Sequence, residues 1–153
     1  MFLKKIRDVF TKNKIPFAVV GGFAVAIHGV ARGTFDVDVI TEISEENFLK
    51  IEYALKEIGL RSILPIDAKN FFQNLETFKK EKNIIAWNFI NPSLNRDCLD
   101  ILITEDIRNF EIISAKTDFG SLPVISLEGL IQLKSKSGRE QDKIDIAALR
   151  KIQ

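Results

Sequence analysis

The sequence predicts an α+β protein, in which a mixed sheet with flanking helices is followed by a helical C-terminal unit. Three observations carry this reading. Short apolar runs at residues 17–20, 84–90 and 98–103 alternate with segments whose apolar residues recur at helical spacing. From Ser126 onward helical spacing alone remains. A composition of 46% hydrophobic and 28% charged residues over 153 positions is that of a globular chain able to bury a core. The chain reads as one domain, 1–153, with a core of about 1–105 and a C-terminal strand and helical segment of about 106–153.

The elements follow in order. Phe2, Leu3, Ile6, Val9 and Phe10 share one face of an opening amphipathic helix. Pro16 starts a strand over residues 17–20, Gly21-Gly22 makes a turn, and residues 23–27 predict a helix ending at Gly29. Residues 35–40 alternate apolar and acidic, as a strand with one functional face does. Ser44 predicts an N-cap for a helix carrying Phe48, Ile51, Leu55 and Ile58, closed by Gly59. Residues 60–66 read as a strand, and Phe71, Phe72, Leu75 and Phe78 as one further helix with residues 79–82 as its solvated end. Strands over 84–90 and 98–103 flank the turn-rich 91–95. Ile112 and Ile113 open a short strand before a turn at 118–121, Ser126 caps a helix, and a last helix runs from about 139 to 152.

Bulk properties exclude several classes. A net charge of +1, from 22 basic and 21 acidic residues, argues against a strongly basic nucleic-acid wrapper, although a local basic patch can still dock an RNA end. One cysteine excludes an internal disulfide and one histidine a His-rich metal site. No run approaches the roughly 18 apolar residues of a membrane span, and charges interrupt the first ten residues. The expectation is a cytoplasmic protein with no membrane partner.

The residues that carry chemistry begin at Gly21-Gly22. Glycine lets a backbone approach phosphates closely, and free N–H groups at a helix start favour their charge. Asp36 and Asp38, two apart on one expected strand, project from the same face roughly 6.5 Å apart and can share hard cations such as Mg²⁺. Asp100 interrupts an otherwise apolar strand, where an unpaired charge costs several kcal/mol. It is either a ligand and general base or a strand-end residue.

Taken together, Gly21-Gly22, Arg32-Gly33-Thr34-Phe35-Asp36-Val37-Asp38 and Asp100 resemble the polymerase-β-like nucleotidyltransferase signature. More narrowly they are similar to the AbiEii/MenT-like toxin branch, whose last motif Lys134-Ser135-Lys136-Ser137-Gly138-Arg139, with Asp142 and Asp145, also resembles. The resemblance implies a nucleotidyltransferase fold. It implies that Gly21, Gly22, Arg32, Thr34, Lys134 and Arg139 bind the nucleotide, and that Asp36, Asp38 and Asp100 bind Mg²⁺ or Mn²⁺. Asp100 then helps to activate the acceptor hydroxyl, and Lys134 and Asp142 complete the catalytic set. Arg139 and Asp145 would also brace the helices. One departure is Gly22, where the superfamily often carries a serine.

On the residues alone, Arg32 either touches phosphate or pairs with an aspartate in its own loop, and Lys134 reads as an exposed lysine. His28 reads as a packed or capping side chain, Trp87 and the twelve phenylalanines as core, and Cys98 as a small buried hydrophobe. The resemblance implies an NTP-dependent transferase acting on a tRNA 3′ end or a protein hydroxyl, with a cognate antitoxin as a partner in a toxin–antitoxin or phage-defence system. The alternatives are an inactive nucleotide- or partner-binding module of the same fold, and a small-molecule, antibiotic-type nucleotidyltransferase.

Overall fold

A computed structural model describes residues 1–153, the side chain of Asn95 excepted. Apolar faces place the first elements. Helix α1 (Phe2–Lys12) buries Leu3, Ile6, Val9 and Phe10 on one face, and strand β1 (Phe17–Val20) is buried along its whole length. Helix α2 (Gly21–Ile27) begins on the first glycine itself, so the expected Gly-Gly turn is the helix's opening turn. Its C-cap is His28, and Gly29, at φ +110°, takes the chain away.

Strand β2 (Val37–Thr41) starts two residues later than the alternation of 35–40 suggests. Its ladder to β1 ends where Val20 pairs with Asp38, so Asp36 has no strand to join and lies on an exposed bend. Phe35 is 82% exposed, an exception to the reading of the phenylalanines as core. Helix α3 (Glu45–Glu57) has its expected cap, with Ser44 accepting from the Asn47 amide, and Gly59 follows it at φ +82°.

Strand β3 (Arg61–Ser62) is all that pairs within 60–66. The single helix expected over Phe71–Phe78 is two, α4 (Ala68–Gln73) and α5 (Leu75–Glu81). Asn74 divides them, leaving helical dihedrals while its side chain donates back to the Asn70 carbonyl.

Strands β4 (Ala86–Asn91) and β5 (Leu94–Asp106) form a hairpin much tighter than the predicted 91–95 loop, with Asn91 paired to Leu94. After a short 3₁₀ turn (Ile107–Asn109), β6 (Ile112–Thr117) and β7 (Gly120–Ile125) form a second hairpin. Strand β7 begins within the predicted 118–121 turn and continues through residues 122–125, to which the sequence pattern assigns no element. Helices α6 (Leu127–Ser137), capped by Ser126 as expected, and α7 (Glu140–Ile152) complete the chain.

The seven strands form one sheet in the order β3-β4-β5-β2-β1-β7-β6. It is mixed: β2 pairs parallel with β5 and β1 parallel with β7, and the remaining pairs are antiparallel. An aromatic cluster packs α3 and α4 on the sheet. Trp87 is fully buried, with ring centroids 5.0 Å from Phe48, 5.2 Å from Phe71 and 4.6 Å from Phe89. No helix among the described residues is long and apolar enough to cross a membrane.

Candidate active site

The sheet register builds the site. Val20, the last residue of β1, lies opposite Asp38, and Asp38 lies opposite Asp100 on β5. Two carboxylates therefore stand side by side on adjacent parallel strands, facing the start of α2. The site is a cleft of about 770 Å³ whose floor carries Asp38, Asp100, Leu102 and Thr104 and whose other wall carries Leu130, Leu133, Lys134 and Ser137 of α6. Gly21, Gly22, Arg32, Thr34, Asp36, Arg139 and Asp142 also line it, so the motif residues expected to bind metal and nucleotide reach one cavity, and Asp145 of the last motif does not line it.

The glycines are fixed by close packing. A Cβ on Gly21 would run into the Asp38 carboxylate, and φ there is +66°. A Cβ on Gly22 would lie 2.8 Å from the Thr34 Cβ. The helix start is thus pressed onto Asp38 on one side and onto the loop that carries Asp36 on the other.

Electrostatic strain is concentrated at Asp38. Burial, then the charges of Asp100 and Asp36, pushes its carboxyl up to about 7, and Arg139 and Lys134 offset this only in part. Neither oxygen of Asp38 has a hydrogen-bond or ion-pair partner among the described residues. Asp100 is also raised, chiefly by burial, although Asn88 donates to it at 2.6 Å. Asp100 is half-buried, lies inside β5 and not at its end, and lines the cleft.

A second cluster forms the wall. Lys134 is 5% exposed, not the surface lysine that amphipathic spacing suggests, because α7 brings Asp142 (3.3 Å) and Asp145 (2.9 Å) to its ammonium. Arg32 pairs with Asp145 at 3.3 Å, from another element rather than from its own loop. Arg139 donates to Asp142 through Nε at 2.9 Å. Burial works against the charges of Asp142 and Asp145, yet these partners outweigh it and hold both carboxyls below the usual range. His28 contacts the Ile125 carbonyl at 2.8 Å, a packing role, and Cys98 is half-buried.

The donor set suits a hard divalent cation. Five acidic and four basic side chains line the cleft, and the acids at the floor repel one another. Among the described residues no three His, Cys, Asp or Glu side chains already converge on a common ion position. Asp38 and Asp100 make a two-carboxylate platform, and Asp36 stands beside it on its exposed bend.

Sequence reasoning missed Asn88, Leu102, Thr104 and Glu105. The period-2 signal from Asp100 points to the residues two and four further on, and Asn88 is visible only once β4 and β5 are registered.

No protein-family model matches the chain, and no curated protein matches its sequence. Solved structures do. The lincosamide antibiotic adenylyltransferase LnuA, with lincomycin bound, is similar at TM-score 0.66 and 19% identity, over 99% of this chain and 96% of that one. ANT(2″)-Ia in complex with adenylyl-2″-tobramycin matches at 0.63 and 13%, over 96% and 84%. An antigenic nucleotidyltransferase-like protein from Paracoccidioides brasiliensis matches at 0.58 and 15%, over 96% and 74%. At these identities the likeness is one of fold, and the chain has the nucleotidyltransferase fold.

Proposed function

We propose that this protein transfers a nucleotidyl group from an NTP to an acceptor hydroxyl. The observation that carries this reading is the register of Asp38 against Asp100 beside the Gly21-Gly22 helix start, with a basic wall of Arg32, Lys134 and Arg139 across the cleft. In the reaction the acceptor oxygen bonds to the α-phosphorus, the bond to pyrophosphate breaks, and the hydroxyl proton leaves.

The residues divide that work. Asp36, Asp38 and Asp100 would hold Mg²⁺ or Mn²⁺, which would supply positive charge to the phosphoryl oxygens. Asp100, fixed by Asn88, accepts the proton of the acceptor hydroxyl. Gly21, Gly22 and Thr34 shape the phosphate side, and Lys134 and Arg139 neutralise the triphosphate. Asp142 keeps Lys134 and Arg139 in position. The whole chain, 1–153, acts as one domain in this reading, since β7 joins β1 in the sheet and the cleft wall comes from α6.

The acceptor class follows the sequence resemblance: a tRNA 3′ end or protein hydroxyl, in a cytoplasmic toxin–antitoxin or phage-defence setting with a cognate antitoxin. The structure favours a second reading as well, a small-molecule acceptor of the antibiotic kind. The solved structures of similar fold hold lincomycin and an adenylylated tobramycin. This chain's own cleft also carries Glu105, a lining carboxylate outside the proposed metal set.

Labelled NTPs with Mg²⁺, offered to total RNA, cell lysate, lincomycin and tobramycin in parallel, test all of this. Label on a macromolecule supports the first reading and label on a drug the second. No labelled product with any nucleotide, from folded protein, would overturn both. NTP binding by calorimetry without turnover would instead identify a binding module of the same fold.

A further inference from the structure

We infer that Asp145, which does not line the cleft, is a positioning residue that holds two cations in place for the nucleotide's phosphates. The inference rests on the proposed reaction and deepens it. Asp145 is 2% exposed and lies behind the wall. Its carboxylate accepts from Lys134 at 2.9 Å, from Arg32 Nε at 3.3 Å and from Gln141 at 2.9 Å, so it joins α6, α7 and the loop between α2 and β2.

Its effect on Arg32 is directional. A guanidinium is a rigid fork, so fixing one edge fixes where the other points. Nε is committed to Asp145 and one terminal nitrogen to the Gly33 carbonyl at 2.6 Å. The remaining NH₂ group has no partner among the described residues, and Arg32 lines the cleft. Lys134 is handled likewise: Asp142 and Asp145 take two of its three N–H groups, and the side chain borders the cleft.

Placement of the loop follows from the same contact. Residues 30–35 have no regular secondary structure, and a side chain at Gly33 would meet nothing within 4 Å. The Arg32–Asp145 ion pair ties this stretch to α7, and the stretch leads directly into Asp36. Losing Asp145 therefore loosens the cleft-lining Arg32 first and Asp36, beside the floor, second.

The test compares wild type with Asp145→Asn, Arg32→Gln and Arg32→Lys. Binding of Mg–ATP and of inorganic triphosphate is measured by calorimetry, kcat and KM by NTP labelling, and folding by circular dichroism. Asp145→Asn is expected to weaken NTP binding about tenfold, roughly the 1.4 kcal/mol of one charge-assisted hydrogen bond, and to raise KM more than it lowers kcat. Arg32→Lys keeps the charge but not the fork, and is expected to lose as much affinity as Arg32→Gln. Should Asp145→Asn fail to fold, the two Arg32 variants still decide, since Arg32 is a quarter exposed and its change leaves the buried pair intact. Wild-type affinity in folded Asp145→Asn, or in Arg32→Lys, overturns the positioning role. Failure of wild type to bind any NTP or triphosphate overturns the proposed reaction itself, and the inference with it.

Discussion

At the scale of the residue, the site is built from conflicts that the rest of the fold holds in place. Gly21 is the clearest. Alanine there meets both a positive φ, worth about 1–2 kcal/mol, and the Asp38 carboxylate. Gly21→Ala is expected to lower stability by at least that amount in urea titration and to abolish transfer by displacing Asp38. Asp38 itself is a liability to the metal-free fold. Its carboxyl is raised to about 7, so between the ordinary value of 3.8 and about 7 the unfolded chain has lost a proton that the folded chain keeps. The contribution of Asp38 to stability is then most favourable below about pH 4, falls as pH rises, and levels off above about 7, whereas the lowered carboxyls of Asp142 and Asp145 act in the opposite sense at acid pH. Asparagine titrates in neither state. Asp38→Asn should therefore be more stable than wild type by roughly 2–4 kcal/mol at pH 8, with the gap closing toward pH 4, while transfer is lost. Melting curves in chelator across that range check it, and a gap independent of pH would refute the assignment.

At the scale of the element, what was legible in the sequence was whatever neighbours in the chain decide. The Ser44 and Ser126 caps and the buried face of α1 are local, since each rests on residues three or four apart. What was not legible depends on distant partners. Asp36 falls off its expected strand because β1 ends at Val20, and β7 forms because Val124 finds Val19 of β1, more than a hundred residues away. Lys134 looks exposed until α7 supplies its two aspartates. The glycines and aspartates that line the cleft stood out by their spacing along the chain, which survives even where element boundaries shift, whereas Lys134 entered the set only through the family resemblance. Two element-level predictions follow from packing. Trp87→Ala, at the centre of the cluster joining β4 to α3 and α4, should cost about 3–5 kcal/mol, and Trp87→Phe much less. Lys134→Met leaves Asp142 and Asp145 buried with only the two arginines, and should also cost about 3–5 kcal/mol. Chemical denaturation reads both, and a loss under 1 kcal/mol for Lys134→Met would show that the arginines alone carry the pair.

At the scale of the whole molecule, the cleft divides the sheet from the helices that close it. Its floor belongs to β2 and β5, and its far wall to α6, which α7 braces through Lys134. An ion pair between α6 and β5, Lys136 to Glu105 at 3.3 Å, has a 57% exposed lysine and contributes little. A nucleotide that touches floor and wall together should therefore stabilise the entire fold rather than a single loop. At a hundred times its dissociation constant such a ligand adds about 2.7 kcal/mol. For a chain of this size each kcal/mol raises the melting temperature by about 2–4 °C, so the expected shift is roughly 5–11 °C. The charge inventory makes the shift conditional. Acids outnumber bases among the lining side chains, and Asp36, Asp38 and Asp100 line the cleft in which the triphosphate is proposed to bind. An NTP in chelator should then give little or no shift, and Mg²⁺ alone a small one. NTP with Mg²⁺ should exceed the sum of the two, because each ligand removes the repulsion that opposes the other. Equal shifts with and without Mg²⁺ would mean that the carboxylate floor takes no part in nucleotide binding, and the reaction would have to be sought elsewhere in the molecule.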